Sequence, residues 1–230
     1  MLESDTDTSL ADQLNDIRRS KLYDLFAAAP FIAWCVYCAT QILPALDQQI
    51  ALAKFFIQTD PSVLRAPLIL SILSNISTLA FLLVLVVAFA VRHVPRYTAS
   101  GFYPRCVAAV ATFLGVGVTL VPLRELSSWL YLGSLLLIIG GTVIAILATL
   151  ALGRSISIVP QARALTMRGP YSLVRHPLYL GEMVDAIGIA LLHLWSWALL
   201  LVGLQFIFQF QRMKVEERML AQVFPEYEDY

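Results

Sequence analysis

The sequence predicts an all-α, polytopic integral membrane protein of about six membrane-crossing helices, and three observations lead to that fold class. First, 59% of the 230 residues are hydrophobic and only 14% are charged, against roughly a quarter charged in soluble domains. Second, the first two thirds of the chain contain long runs without any charged residue. Third, an apolar run near the C-terminus is too long for one crossing and is typical of a helical hairpin.

The uncharged runs define four spans, each close to the roughly 20 residues that a transmembrane helix needs. A soluble bundle would show charges along one face of each helix, and these runs show none. We therefore expect a polar N-terminal tail over residues 1–24, four transmembrane spans within residues 25–152, and a C-terminal region with cofactor and catalytic residues over residues 153–230. The four runs are Leu25–Leu46, Pro67–Val91, Cys106–Leu123 and Trp129–Leu152.

The C-terminal apolar run, Leu178–Gln211, contains only two charged residues, Glu182 and Asp185. As a single helix rising about 1.5 Å per residue it would be about 50 Å long, well beyond a hydrocarbon core of about 30 Å. Its middle segment, His193–Trp197, holds His and Trp side chains that suit a membrane interface. We expect the chain to turn there, so that residues 178–211 form a hairpin.

The positions of Lys and Arg predict the orientation, because basic residues concentrate in cytoplasmic loops. With a cytoplasmic N-terminus and six crossings, only Lys54, Arg65 and Arg124 of the 16 basic residues fall outside. The N-terminus, an arginine-rich loop over residues 153–175 and the C-terminus are then cytoplasmic. A formal net charge of zero gives no reason to expect a nucleic-acid partner. The spacing of Cys, His and Asp indicates no metal site.

The densest polar segment is Gly169–Gly181, which reads Gly-Pro-Tyr-Ser-Leu-Val-Arg-His-Pro-Leu-Tyr-Leu-Gly. Pro177 suits the first residue of a helix, where its missing N–H group costs nothing. His176 and Tyr179 would then flank a helix N-terminus, whose free N–H groups and partial positive charge attract anionic groups. This segment is the first candidate for a binding site.

A second polar group, Arg212, Glu216 and Glu217, follows the hairpin. Arg212 and Glu216 are four residues apart and share one helix face. On spacing alone, this pair is typical of an exposed salt bridge worth a few tenths of a kcal/mol. Inside the hairpin, Glu182 and Asp185 also share a face. Acids in a membrane usually face a cavity or a partner, so we expect Glu182 at headgroup level and leave open a site or gating role for Asp185.

Together, the two polar segments resemble a known family. The pattern Gly-x-Tyr-x-x-x-Arg-His-Pro-x-Tyr-x-Gly, an apolar hairpin, and then Arg-x-x-x-Glu-Glu-x-x-Leu-x-x-x-Phe closely resembles the isoprenylcysteine carboxyl methyltransferase family, which is grouped with the phospholipid N-methyltransferases. The resemblance covers roughly Gly153–Tyr230. It implies that S-adenosylmethionine is the methyl donor and that the loop before the hairpin and the carboxylate after it enclose this cofactor.

The resemblance also assigns roles to residues. Arg212 matches the arginine that the family uses for the substrate carboxylate, so Arg212 and Glu216 are the predicted catalytic residues. Eukaryotic members typically have His where this chain has Arg163. The predicted cofactor-binding residues are Arg163, Ala164, Leu165, Thr166, Tyr171, His176, Pro177, Leu178, Tyr179, Glu216 and Glu217.

The chemistry agrees with these roles. A sulfonium cation calls for a nearby carboxylate, which Glu216 supplies. A carboxylate acceptor is already nucleophilic and needs only a cation, which Arg212 supplies, whereas an amine must first lose a proton. We therefore favour carboxyl O-methylation of an isoprenylcysteine-like or other lipophilic acceptor that enters from the bilayer. The alternatives are phospholipid or amine N-methylation, an NADPH-dependent sterol-type reductase, and a non-enzymatic membrane protein.

Overall fold

The computed structural model describes residues 21–60, 65–95, 97–98, 101–114, 125–159, 161–193, 196–227 and 230. Residues 1–20 of the predicted tail (residues 1–24) and residues 115–123, the second half of the predicted span Cys106–Leu123, lie outside the described residues. Six α-helices account for most of the described chain. They are α1 (Lys21–Thr59), α2 (Ala66–Val91), α3 (Phe102–Phe113), α4 (Ser128–Leu152), α5 (Pro177–His193) and α6 (Ser196–Val223).

Short elements connect these helices at one end of the bundle. Two-residue strands β1 (Tyr97–Thr98) and β2 (Gln161–Ala162) pair antiparallel, with Tyr97 opposite Ala162. Single 3-10 turns follow α4, precede α5 and follow α6; they are Gly153–Ser155, Gly169–Ser172 and Pro225–Tyr227. The described part of the chain is thus mostly helical, with one small strand pair that the sequence did not predict.

Within the described part of the chain, three helices are long and apolar enough to cross a membrane: α1, α2, and α4 with its 3-10 extension to Ser155. The predicted total of six crossings is not confirmed. With 17 residues, α5 is only about 26 Å long at 1.5 Å per residue, and α6 mixes an apolar first half with a charged second half. The first span is also longer than predicted, because α1 continues past Leu46 to Thr59.

The C-terminal hairpin has its turn where the sequence predicts one, since α5 ends at His193 and α6 begins at Ser196. Pro177 is the first residue of α5, as its lack of a backbone N–H favours. The second half of α6 thereby returns to the end of the bundle where α5 begins. This arrangement brings the two polar segments of the sequence together.

The closest helix packing in the described chain joins α4 to α5, and three glycines make it possible. A Cβ atom on Gly141 would lie 2.4 Å from the Asp185 backbone nitrogen, and one on Gly181 would lie 2.7 Å from the Ala145 nitrogen. A Cβ atom on Gly188 would lie 2.8 Å from the Ser134 carbonyl oxygen. The two backbones therefore touch, as is common where small residues line membrane helix interfaces.

An ionic cluster of Asp24, Arg92 and Arg163 fixes the end of the bundle where α5 begins. Asp24, on the first turn of α1, accepts hydrogen bonds from Arg92 Nε at 2.8 Å and from Arg163 Nη2 at 2.9 Å. All three side chains are buried. The cluster joins the start of α1 to the end of α2 and to the loop after β2. Which side of a membrane this end faces stays a prediction.

Candidate functional site

A polar cavity lies where the loop over residues 152–176 meets the start of α5 and the second half of α6. It contains about 790 Å³ of empty space, including its open mouth. Pockets of a few hundred to about 1,000 Å³ are typical of small-molecule sites. We call it the donor-side cavity, and the loop contributes most of its lining.

Most of the predicted cofactor-binding residues line the donor-side cavity. Among the predicted residues, Pro177, Glu217 and Arg212 are not part of its lining. Pro177 is fully buried at the start of α5, and Glu217 pairs with His176. The predicted residues that do line the cavity are Arg163, Ala164, Leu165, Thr166, Tyr171, His176, Leu178, Tyr179 and Glu216. Cofactor binding by any of them remains a prediction.

Two contacts tie the start of α5 to α6. Tyr179 donates a hydrogen bond from its hydroxyl to Glu216 Oε2 at 2.6 Å. His176 Nε2 lies 2.9 Å from Glu217 Oε1, and the His176 and Tyr179 rings stack with centroids 5.5 Å apart. The two polar segments that the sequence separates by a hairpin therefore form one site. The two glutamates have different positions: Glu216 lines the cavity, whereas Glu217 contacts His176.

Arg212 does not form the exposed salt bridge that its spacing from Glu216 suggests. Its side chain is only 6% exposed, and its Nη2 donates to the Ile158 carbonyl at 2.7 Å and to the Ser157 carbonyl at 3.3 Å. Its Nη1 lies 3.3 Å from Thr112 Oγ1. The guanidinium also lies 4.9 Å from the centre of the Tyr179 ring. Arg212 is thus a buried side chain held mainly by backbone carbonyl groups.

Of the two arginines that line the donor-side cavity, Arg163 is the more deeply buried. Its Nη2 bonds to Asp24 and to Gln161 Oε1, while its Nε and Nη1 are buried without a hydrogen-bond partner. Burial lowers the pKa of the Arg163 guanidinium from its ordinary value, and the hydrogen bond with Asp24 opposes that shift. A buried guanidinium with unused N–H groups is suited to an anionic ligand group.

Sequence reasoning missed Asp24, the partner that holds Arg163 in place. It assigned Asp24 to a solvated tail, because the surrounding N-terminal residues are rich in acids. The available signal was the position of Asp24 immediately before an uncharged run. A lone acid at such a place needs a basic partner if it is buried, and Arg92 after the next run was a candidate.

Three tyrosines close the C-terminal side of the donor-side cavity. Tyr230 donates a hydrogen bond from its hydroxyl to the Tyr171 carbonyl oxygen, and Tyr227 lines the cavity with its hydroxyl buried and unpartnered. Burial raises the pKa of Tyr227 to about 12 and that of Tyr171 well above its ordinary value. These phenols therefore stay neutral at physiological pH and add hydrogen-bonding groups without charge.

A second cavity, here called the bundle cavity, lies between the helices and contains about 1,050 Å³ including its openings. All six helices contribute to its lining, which is mainly apolar. Glu182 and Asp185 of α5 also line it, so Glu182 faces the interior of the bundle. Glu182 accepts a hydrogen bond from the Gln209 side chain of α6. Sequence reasoning placed Glu182 at headgroup level and did not find this cavity.

Comparison with known proteins points to methyl transfer. Residues 129–227, which run from α4 through the last 3-10 turn, match the family described as phospholipid methyltransferase. This match supports a membrane methyltransferase and does not distinguish between acceptors. Searches of curated proteins and of solved structures returned no match to the chain.

Proposed function

We propose that the protein is an integral membrane methyltransferase that transfers a methyl group from S-adenosylmethionine to a lipophilic acceptor. The observation that carries this proposal is the lining of the donor-side cavity. Arg163 and Arg175 bring positive charge to it, and Glu216 brings negative charge. The proposed donor has the complementary charges, a carboxylate and a sulfonium cation, within one small molecule.

The residues of the donor-side cavity fit this cofactor. The unused Nε and Nη1 groups of Arg163 suit its carboxylate, since charge-assisted hydrogen bonds are the stronger kind. Glu216 suits the sulfonium, because a carboxylate in a partly buried site attracts a cation more strongly than it does in water. The neutral phenols of Tyr171 and Tyr227 suit the uncharged groups of S-adenosylmethionine. When bound, the cofactor supplies a methyl group activated by its positive sulfur.

The protein's contribution to the reaction is positioning and exclusion of water. Methyl transfer is an in-line displacement, so its rate depends on holding the acceptor atom opposite the leaving sulfur. Arg212 lies at the boundary between the two cavities: its backbone partners, Ser157 and Ile158, line the donor-side cavity, and Thr112 lines the bundle cavity. We infer that Arg212 orients the reacting groups at this boundary.

The proposal also concerns the identity of the methyl acceptor. Carboxyl O-methylation of an isoprenylcysteine-like acceptor depends on Arg212 as the cation that holds a carboxylate. The buried guanidinium of Arg212 supports that role, but it already donates to two carbonyl groups and a hydroxyl. The bundle cavity presents two carboxyl groups, which would repel an anionic acceptor. N-methylation of a lipophilic amine is therefore the second candidate, and these carboxyl groups favour it.

The match to a methyltransferase family also favours this proposal over a sterol-type reductase or a non-enzymatic protein. A ligand test separates them. We expect S-adenosylmethionine, or its demethylated product, to raise the melting temperature of the purified protein in detergent. A ligand at 100 times its Kd stabilises the folded state by about 2.7 kcal/mol. Stabilisation by NADPH instead would overturn the proposal.

A further inference from the structure

We propose that a basic groove at the ends of α2 and α4 binds the phosphate group of an anionic membrane phospholipid, which strengthens cofactor binding without being a substrate. This groove, here called the headgroup groove, contains about 1,100 Å³ including its open mouth. Its lining includes His93, Arg154 and Arg168. The lipid site is independent of the proposed function, whereas its effect on the cofactor rests on that function.

The headgroup groove lies at the level where lipid headgroups are expected. Two candidate membrane spans, α2 and the extended α4, end at Val91 and Ser155, and the groove lining begins at these ends. The His93 backbone N–H donates to the Arg154 carbonyl at 2.8 Å, and Arg154 Nε donates to the Val91 carbonyl at 2.8 Å. The sequence predicts that this end faces the cytoplasm, and cytoplasmic leaflets are rich in anionic lipids.

A turn in the loop after β2 brings a second arginine to the end of α4. Gly169 has a φ of 63°, which favours glycine, and a Cβ atom there would lie 3.6 Å from the Ala151 Cβ of α4. Arg168 therefore lines the same groove as Arg154. Within the described part of the chain, Arg168 is exposed and has no hydrogen bond or ion pair, and Arg154 uses only its Nε. Their remaining N–H groups are suited to phosphate oxygens.

Positive charge at this end of the bundle exceeds the negative charge that the described residues supply. Lys21 lies close enough to three arginines for their charges to repel one another: Arg92, Arg154 and Arg163. Asp24 is the carboxylate that pairs with Lys21, Arg92 and Arg163. Among the described residues that line the groove there is no Asp or Glu. An anion in the groove would offset this excess, whereas a cation would add to it.

Apolar surface beside the headgroup groove favours a lipid over a soluble phosphate. Leu147 and Leu150 precede Arg154 by seven and four residues, so they share its side of α4, and both are exposed. Val87 and Val91 form a similar exposed stripe on α2. The hydrogen bond from Arg154 to the Val91 carbonyl joins the two stripes at the groove. Acyl chains can lie along these stripes while the phosphate occupies the groove.

The headgroup groove shares a wall with the donor-side cavity and not with the bundle cavity. None of its described lining residues lines the bundle cavity, which argues against the acceptor as its ligand. A phosphate held between Arg154 and Arg168 would fix the shared wall and so favour cofactor binding. The cofactor must then strengthen lipid binding by the same factor. The residues that line both the groove and the donor-side cavity are Leu152, Ser155, Ala164, Leu165 and Thr166.

A competition assay tests the lipid site. Fluorescent phosphatidylglycerol is bound to the purified full-length protein in neutral detergent, and unlabelled compounds displace it, with fluorescence anisotropy as the readout. Phosphatidylglycerol should compete at least about tenfold better than phosphatidylcholine, whose headgroup has no net charge. Glycerol phosphate, which lacks acyl chains, should not compete. Arg168→Gln should weaken probe binding about fivefold, the contribution of one basic residue near an anionic surface, and Arg168→Lys should change it by less than about twofold.

Arg105→Gln is the matched control. Arg105 is exposed on α3 and does not line the groove, and the hydrogen bond from Tyr103 to Gln211 places the start of α3 at the same end of the bundle. Its affinity for the probe should be unchanged. Equal losses in Arg168→Gln and Arg105→Gln would overturn the inference in favour of general attraction to a basic surface. Competition by glycerol phosphate equal to that of the lipid would overturn it in favour of a soluble phosphate.

Cofactor titrations in nanodiscs of phosphatidylglycerol or phosphatidylcholine test the effect on the donor-side cavity. We expect S-adenosylmethionine to bind at least about fivefold more tightly in phosphatidylglycerol, and Arg168→Gln to remove this difference. Equal affinity in the two lipids would overturn the coupling between the groove and the cofactor. Arg168-dependent lipid binding in a protein that binds no cofactor in either lipid would retain the groove and overturn the proposed function.

Discussion

Arg212 contacts residues that line the donor-side cavity and one that lines the bundle cavity, but the chain builds the two cavities in different ways. The donor-side cavity takes nearly all of its lining from residues 152–179 and from the C-terminal residues 216–230. The bundle cavity takes a few residues from each of six helices. The charges of the two linings also differ: Arg163 and Arg175 accompany Glu216 in the first cavity, whereas the described lining of the second has two carboxyl groups and no Lys, Arg or His. The first lining suits the charges of the proposed donor, and the carboxyl groups of the second favour the amine acceptor that we propose as the second candidate.

The largest expected effect comes from removing the negative charge of the donor-side cavity. Glu216→Ala also removes the hydrogen bond from Tyr179, so we expect S-adenosylmethionine to give no measurable thermal stabilisation. Glu226→Ala is the control, because Glu226 is exposed beside the same cavity. Wild-type stabilisation by S-adenosylmethionine in Glu216→Ala would show that Glu216 does not bind the cofactor, and it would contradict the proposed difference between the two cavities.

The next effect concerns the ionic cluster that holds Arg163. Asp24→Ala leaves Arg92 and Arg163 buried without their carboxylate partner, which costs about 3–5 kcal/mol of folding stability. Thermal unfolding in detergent measures the loss, and a cofactor titration of the surviving folded protein should show weaker binding. Asp47→Ala, on the same helix and exposed, should change neither quantity. Unchanged stability in Asp24→Ala would mean that the cluster does not hold the loop.

Arg212 is expected to matter for turnover more than for cofactor binding, because it lies at the boundary of the two cavities. We expect Arg212→Ala to lower methyl transfer by at least about 100-fold while the cofactor affinity stays within about threefold. Single-turnover kinetics with labelled cofactor, together with equilibrium binding, separate the two quantities. Loss of cofactor affinity equal to the loss of rate would place Arg212 on the donor side instead.

The smallest expected effect tests the packing behind the bundle cavity, and neighbouring glycines provide the comparison. A Cβ atom on Gly141 meets the α5 backbone at Asp185, whereas one on Gly140 meets nothing within 4 Å. Gly141→Ala should therefore lower folding stability by about 1–3 kcal/mol through overpacking, and Gly140→Ala should not. Stabilisation of the protein by the cofactor should be retained in Gly141→Ala. Equal behaviour of both variants would contradict the close approach of α4 and α5.

The two cavities also show what the sequence could predict. The contiguous motif at residues 169–181 and the acidic pair after the hairpin could be found because each forms a local pattern with recognisable chemistry. The turn between α5 and α6 followed from helix length and from the bilayer thickness. These local signals, together with the family resemblance, were enough to predict part of the lining of the donor-side cavity, and they missed the lining residues between Ser155 and Gln161.

The remaining features depend on long-range packing that no local pattern records. In the sequence, Asp24 looks like part of an acidic tail, and only the folded structure shows its contacts with Arg92 and Arg163. The spacing of Arg212 and Glu216 predicts an exposed pair, because the sequence does not show that α6 packs against the loop over residues 152–176. Glu182 reads as a headgroup residue until α4 and α6 enclose it, and that enclosure depends on the glycines of α4 and α5.

The central claim is that the donor-side cavity holds the sulfonium of S-adenosylmethionine through the charge of Glu216. Titrating wild type and Glu216→Gln with the cofactor and with its demethylated product, which lacks the sulfonium charge, tests this most directly. The cofactor should lose about tenfold or more in affinity in Glu216→Gln, because only it carries the sulfonium, while its product loses less than about threefold. Equal losses for the two ligands, or no loss for either, would contradict the claim.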